Sequence, residues 1–224
     1  MLITIPNILD QQRLDYINQV LTSATFVDGK LSAGMAAKRV KNNEELSVDE
    51  TQMQQLNNLV MGSLVQHEEF KAAAIPFRIA APYYARYSKG MTYGEHVDDP
   101  VMGMPGQQYR SDVSTTVFLN EPEDYEGGEL VINTTYGKQK IKLKAGSAVV
   151  YPSSSLHYVA EVTKGTRLVA VTWSQSMIRD PAKRELLYQL NQARESLLKN
   201  RPDDFETKNI DISYVNLFRM WSEL

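Results

Sequence analysis

The sequence predicts a mainly β fold with flanking helices: an antiparallel jelly roll preceded by helices and followed by a small helical unit. Three observations carry this. From Pro76 onward the chain breaks into short runs rich in Tyr, Val, Thr and Ile, punctuated by Gly and Pro, as strands joined by tight turns require. Before and after those runs, apolar residues recur at helical spacing instead. A length of 224 residues with 42% hydrophobic content suffices for one sizeable core and a small appendage. The expected divisions are 1–76, 77–178 and 179–224.

Leu2 to Ile5 alternates weakly and reads as a short strand. Asp10 then caps a helix that buries Leu14, Ile17 and Leu21. Residues 24–46 mix glycines, asparagines and scattered charges without a sustained period, so loop and irregular strand are expected there. Ser47 with Glu50 three residues later makes a capping-box signature, and Met53, Leu56, Val60 and Leu64 form the stripe of a helix over about 48–68. His67 falls in its last turn, where the helix dipole favours a histidine without any further role.

The expected strands are Phe77 to Ser88, Ser111 to Leu119, Gly128 to Asn133, Gly137 to Leu143, Ser147 to Tyr151, His157 to Val162 and Thr166 to Ser174. Asp180-Pro181 starts a helix carrying Leu186, Leu187, Leu190, Ala193 and Leu197. Asn200 to Asp204 breaks it, and a last helix from about Asp211 carries Ile212, Val215, Phe218 and Trp221. Glu126-Gly127-Gly128-Glu129 lacks the lysine and following helix of a phosphate loop and reads as a turn.

Composition excludes several functions. The net charge of −3, with both signs interspersed, argues against nucleic acid or a membrane surface as partner. The absence of cysteine removes disulfides, thiolate metal sites and cysteine nucleophiles. Neither a signal-peptide pattern nor a membrane-length apolar run is visible, which makes cytoplasmic the expected location.

Because the chain has only three histidines, an imidazole-based metal site must draw on His67, His96 and His157. In a strand, residues two apart share a face, so His96 and Asp98 would project together with Val97 turned away. A histidine from a neighbouring strand, His157, would complete two imidazoles and one carboxylate, the facial set of non-heme Fe(II) oxygenases. Alone, the triplet is equally readable as His96 hydrogen-bonding Asp98. Arg167 follows the Lys164-Gly165 turn and alternates with Val169, Val171 and Trp173. If those face the interior, a buried guanidinium needs an anion, and its fork of donors suits a carboxylate. An internal salt bridge or an outward-facing arginine is the alternative.

Four segments in unbroken order add a resemblance: Tyr87-Ser-Lys-Gly-Met-Thr-Tyr-Gly-Glu-His96-Val-Asp98, Arg110-Ser-Asp-Val-Ser-Thr-Thr-Val-Phe-Leu-Asn-Glu-Pro-Glu-Asp-Tyr-Glu-Gly-Gly-Glu-Leu-Val-Ile132, Leu143-Lys-Ala-Gly-Ser-Ala-Val-Val-Tyr-Pro-Ser-Ser-Ser-Leu-His157 and Gln175-Ser-Met-Ile-Arg-Asp180. They resemble the Fe(II)- and 2-oxoglutarate-dependent dioxygenases, and more closely the bacterial PKHD-type (prolyl/lysyl-hydroxylase-domain) hydroxylases associated with iron uptake. The resemblance implies a double-stranded β-helix over 77–178, with His96, Asp98 and His157 as iron ligands and Arg167 as the 2-oxoglutarate anchor. Tyr87 is the implied partner of the same carboxylate, with Tyr83, Tyr84 and Tyr93 as neighbouring candidates. It also implies a small C-terminal domain after Asp180.

The implied reaction is hydroxylation of a C–H bond with dioxygen, releasing succinate and carbon dioxide, with L-ascorbate as a candidate reductant. Val149, Val171 and Trp173 are candidates for an apolar lining. Asp99 to Arg110 reads as a substrate lid or as a plain long loop. A non-catalytic sensor binding metal and 2-oxo acid is the alternative function. The substrate, peptide or small molecule, is not readable, and the apolar stripes of the tail leave a homo-oligomer open.

Overall fold

A computed structural model describes residues 1–223 as two facing antiparallel sheets with helices packed on one of them. The larger sheet has nine strands, whose main path runs Ile3–Ile5, Ala148–Pro152, Val113–Phe118, Val162–Ser176, Tyr83–Ser88, Glu44–Ser47 and Thr25–Asp28. Pro76–Ile79 and Tyr125–Gly127 also pair with the long strand Val162–Ser176. The smaller sheet has five strands, in the order Gly137–Ile141, Leu130–Thr134, His157–Val159, Thr92–His96 and Lys41–Asn42.

Period-two alternation explains why the larger sheet reads as almost wholly apolar. Val149, Tyr151, Phe118 and Val169 point between the sheets and meet Leu130, Ile132 and Val159 of the smaller one. Their neighbours Ala148, Val150, Val117 and Ala170 point the other way, into a core shared with the helices. A sheet covered on both faces needs apolar residues at odd and even positions alike.

Helix α1 (Gln11–Ser23) is capped by Asp10, whose carboxylate accepts the Arg13 amide at 2.8 Å, and it buries Leu14, Ile17 and Leu21. Helix α2 (Glu50–Gln66) differs from the expected start. Asp49, not Ser47, caps it by accepting the Gln52 amide at 2.9 Å, because Ser47 closes the strand Glu44–Ser47. Leu56, Val60 and Leu64 are fully buried, each worth roughly 1.5–3 kcal/mol. The chain then breaks at His67 and resumes as α3 (Glu68–Ala74), which ends with Ile75 in the left-handed region at φ 44°.

Two further expectations are corrected. Phe77 to Ser88 is two strands, because Pro82 has no amide to donate to a ladder. Residues 24–46, where loop and irregular strand are expected, hold three short strands, two of them in the larger sheet and Lys41–Asn42 in the smaller. After α4 (Pro181–Asn200), helix α5 (Phe205–Trp221) begins six residues before the expected Asp211. Its first turn buries Thr207 and exposes Phe205, so hydrophobic spacing gives no sign of it. Tyr214, Leu217, Phe218 and Trp221 of α5 pack against Ile178 and Leu187. Among the described residues no helix is long and apolar enough to cross a membrane.

Candidate active site

His96 ends the strand Thr92–His96 and lies directly across the ladder from His157, the first residue of His157–Val159. Asp98 lies two residues beyond the strand end, so the expected two-ligand strand stops one ligand short. Its Oδ1 stands 3.8 Å from His96 Nε2 and 3.7 Å from His157 Nε2. One ligand atom from each of the three falls within 4.8 Å of the others, tight enough for a single ion to reach them all.

Both imidazoles are set for ligation by their other nitrogen. His96 Nδ1 donates to Gly94 O at 2.8 Å and His157 Nδ1 to Ser155 O at 2.9 Å. A carbonyl can only accept, so Nδ1 carries the proton and Nε2 keeps a free lone pair. Burial pushes His96 down to about 4, and nearby His157 adds to the effect, so the ring is neutral at pH 7. Tyr93 stacks on His96 with centroids 3.7 Å apart, and Tyr151 meets His157 edge-on at 5.2 Å. Ser114 Oγ donates to Asp98 Oδ2 at 2.5 Å and lies 2.8 Å from Ser153 Oγ.

Arg167 projects from the opposite sheet into the same inter-sheet cavity. It is 1% exposed, Nε has no hydrogen-bond partner, and among the described residues no carboxylate pairs with it. The internal salt bridge weighed from the sequence is therefore absent there, and so is the outward-facing arginine. Tyr87 is its cross-strand neighbour, with the guanidinium 5.0 Å from the ring centroid. Burial pushes the Tyr87 hydroxyl up to about 12 against the opposing pull of Arg167, so it remains a donor at neutral pH. The other tyrosines go elsewhere: Tyr84 into the helix-side core, Tyr83 edge-on to Trp173 at 5.8 Å, and Tyr93 onto His96.

Val171 and Trp173 line the cavity, whereas Val149 is fully buried in the inter-sheet core and is not part of its lining. The inner cavity opens into an outer one of about 590 Å³, walled by Arg78, Tyr83, Tyr109 and Trp173. Asp99 to Arg110 folds over it as the short hairpin Val101–Met102 and Tyr109–Arg110, with Gly103 at φ 99° making the turn. His67 sits at the α2–α3 junction, outside the cluster.

Lys41, Asn43 and Glu45 also line the inner cavity. Sequence reasoning missed them because 24–46 lacks a hydrophobic period; their i, i+2, i+4 spacing was the available signal.

Residues 82–175 match the 2OG-Fe(II) oxygenase superfamily and residues 181–223 the PKHD-type hydroxylase C-terminal domain. A PKHD-type hydroxylase of Thioalkalivibrio sulfidiphilus is 52% identical over 224 residues, covering all of both chains. The chain belongs to the PKHD-type hydroxylases. As such it is an Fe(II)- and 2-oxoglutarate-dependent oxygenase, with 2-oxoglutarate and dioxygen as co-substrates.

The hydroxylase fold is shared with a Trichoplax adhaerens prolyl hydroxylase solved with a hypoxia-inducible-factor peptide fragment. That likeness has a TM-score of 0.58 and 18% identity over 83% of this chain and 86% of that one. HygX of Streptomyces hygroscopicus, solved with nickel, 2-oxoglutarate and hygromycin B, has a TM-score of 0.52 and 14% identity over 79% and 84%. The residues present fit both groups of the family: two imidazoles with Nε2 free to ligate and a carboxylate suit a divalent iron, and a buried arginine with no carboxylate partner among the described residues suits a dicarboxylate.

Proposed function

We propose that this hydroxylase holds iron on His96, Asp98 and His157, and anchors the far carboxylate of 2-oxoglutarate on Arg167 and Tyr87. It inserts one oxygen atom of O2 into a C–H bond of a peptidyl, prolyl- or lysyl-like, or small-molecule substrate. The observation that carries the reading is Arg167, a buried cation with no carboxylate partner among the described residues, across one cavity from the three-ligand cluster. With both groups bound, the site would supply the oxidative chemistry that turns 2-oxoglutarate into succinate and carbon dioxide, the second oxygen atom entering succinate.

The chain's own part is binding, orientation and exclusion of water. Gly94 O and Ser155 O fix the tautomers, and Ser114 turns Asp98 so that Oδ1 faces the imidazoles. Arg167 and the Tyr87 hydroxyl would supply charge-assisted donors to one end of a dicarboxylate, leaving its other end toward the ligand cluster. Val171, Trp173 and Tyr151 supply the bulky, largely apolar part of the wall between. The two solved neighbours carry a peptide fragment and hygromycin B on one shared fold, so fold does not choose between the substrate classes.

Anaerobic Fe(II) and 2-oxoglutarate titrations, followed by admission of oxygen and assay for succinate, test the reading. His157→Ala should abolish iron binding, and Arg167→Met should keep iron binding while losing 2-oxoglutarate affinity. Full iron affinity in His157→Ala would sink the ligand assignment. A screen of peptides and metabolites for oxygen-dependent mass gain would identify the substrate.

A further inference from the structure

Asn43 sits where the chain leaves the smaller sheet, through Lys41–Asn42, and enters the larger one, through Glu44–Ser47. A residue at that crossing points into the space between the sheets, and Asn43 lines the inner cavity together with Arg167 and Tyr87. It is 4% exposed, its Oδ1 has no hydrogen-bond partner among the described residues, and its side-chain amide lies beside the Tyr87 hydroxyl. An amide held beside Tyr87, on the same wall as Arg167, stands where the end of an anionic ligand would meet all three side chains.

Its orientation is set from behind. Gly29 donates its amide to Asn43 O at 2.9 Å, and Asn43 Oδ1 occupies space only 2.0 Å from where a Cβ on Gly29 would stand. Oδ1 is sealed from solvent against that glycine, which leaves the Nδ2 amino group as the part of the side chain available to the cavity. The neighbouring Glu45 does not repel an incoming anion. Its carboxylate is paired with Lys41 Nζ at 2.5 Å and accepts Ser32 Oγ at 2.8 Å.

We propose that Asn43 is a co-substrate-positioning residue, donating Nδ2–H to the far carboxylate of 2-oxoglutarate beside Arg167 and Tyr87, with Gly29 holding it there. This rests on the 2-oxoglutarate reading above. Arg167 supplies charge and Asn43 supplies a second direction, so a carboxylate gripped from both sheets is fixed in rotation as well as in place.

The test is anaerobic calorimetry of the Co(II)-loaded protein with 2-oxoglutarate, and with pyruvate, which lacks the far carboxylate. Asn43→Ala should weaken 2-oxoglutarate roughly 10- to 100-fold, as loss of a hydrogen bond to a charged group does. Its pyruvate affinity and its ligand-free melting temperature should stay at the wild-type values. Asn43→Asp should weaken 2-oxoglutarate further by placing a carboxylate against a carboxylate. Gly29→Ala, which touches nothing in the cavity, should act in the same direction as Asn43→Ala by displacing Oδ1.

Wild-type affinity for 2-oxoglutarate in Asn43→Ala would overturn the proposal, as would an equal loss for both acids. A lowered melting temperature with unchanged affinity would overturn it too, assigning Asn43 to packing alone. If the wild-type protein binds no 2-oxoglutarate, the parent reading fails and this inference with it; failure in the variants alone leaves the parent reading standing.

Discussion

Ser114 is not itself a candidate ligand, yet it is fully buried and gives its hydroxyl to Asp98, which is one. Ser114→Ala leaves Asp98 Oδ2 without that donor and frees the carboxylate to turn. Iron affinity should drop about 10- to 100-fold, the usual effect of losing a group that orients a ligand. Competition against a colorimetric chelator measures it, and an unchanged affinity would remove Ser114 from the site. A second prediction concerns His96. In the unfolded chain its imidazole takes a proton near pH 6.5, whereas in the folded apoprotein it does so only at about 4. Between those values the unfolded state binds more protons. Apoprotein stability should therefore fall as pH drops from 6.5 toward about 4, by up to about 1.4 kcal/mol per pH unit from this one group. Urea melts of His96→Gln, compared with the wild type across that window, isolate the contribution. A pH dependence unaltered by the substitution would refute the assignment.

Asp112 joins four elements at the rim. Its carboxylate accepts Arg110 Nε of the hairpin at 2.7 Å and the Ser176 amide at 2.9 Å, while its carbonyl accepts the Ser153 amide at 3.1 Å. Helix α4 reaches the same carbonyl: Arg184 Nη2 donates to it at 3.4 Å, and Nη1 donates to Ile178 O at 2.7 Å. Through Ser153 and Ser114 this network continues to Asp98, so the C-terminal helices are tied to a candidate iron ligand. Arg184→Met should cost about 1–3 kcal/mol by leaving buried carbonyls unsatisfied. A denaturant midpoint equal to the wild type would show that the link bears no load. None of this was legible in the sequence, because an arginine on a helix with lysines and glutamates reads as solvated surface. The strands from Tyr83 onward were legible because their apolar alternation and turn residues are local signals. The clustering of His96 and His157 with Asp98 was legible because only three histidines exist to choose from. The Lys41, Asn43 and Glu45 wall was not: its strands are two and four residues long, and their pairing with Tyr93 and Ala85 is decided far along the chain.

At the scale of the molecule, the two sheets carry different halves of the site. His96 and His157 belong to the smaller sheet, while Arg167 and Tyr87 belong to the larger. Between them the sheets are held by apolar contacts such as Leu130, Ile132 and Val159 against Phe118 and Val169, with the cavity as an unfilled section of that interface. A ligand that reaches from the metal to Arg167 would bridge the two layers where protein contacts are missing, so it binds the folded state and not the unfolded one. Mass action then requires stabilisation of about 2.7 kcal/mol when free 2-oxoglutarate is at 100 times its dissociation constant. For a chain of this size that corresponds to a rise of about 5–10 °C in melting temperature. In the Co(II)-loaded wild type, 2-oxoglutarate should produce this rise. Arg167→Met should keep the increment caused by the metal, which needs only the smaller sheet and Asp98, and lose the increment caused by 2-oxoglutarate at the same concentration. Loss of both increments together would mean that Arg167 supports the fold of the metal site and not a separate anion subsite across the cavity.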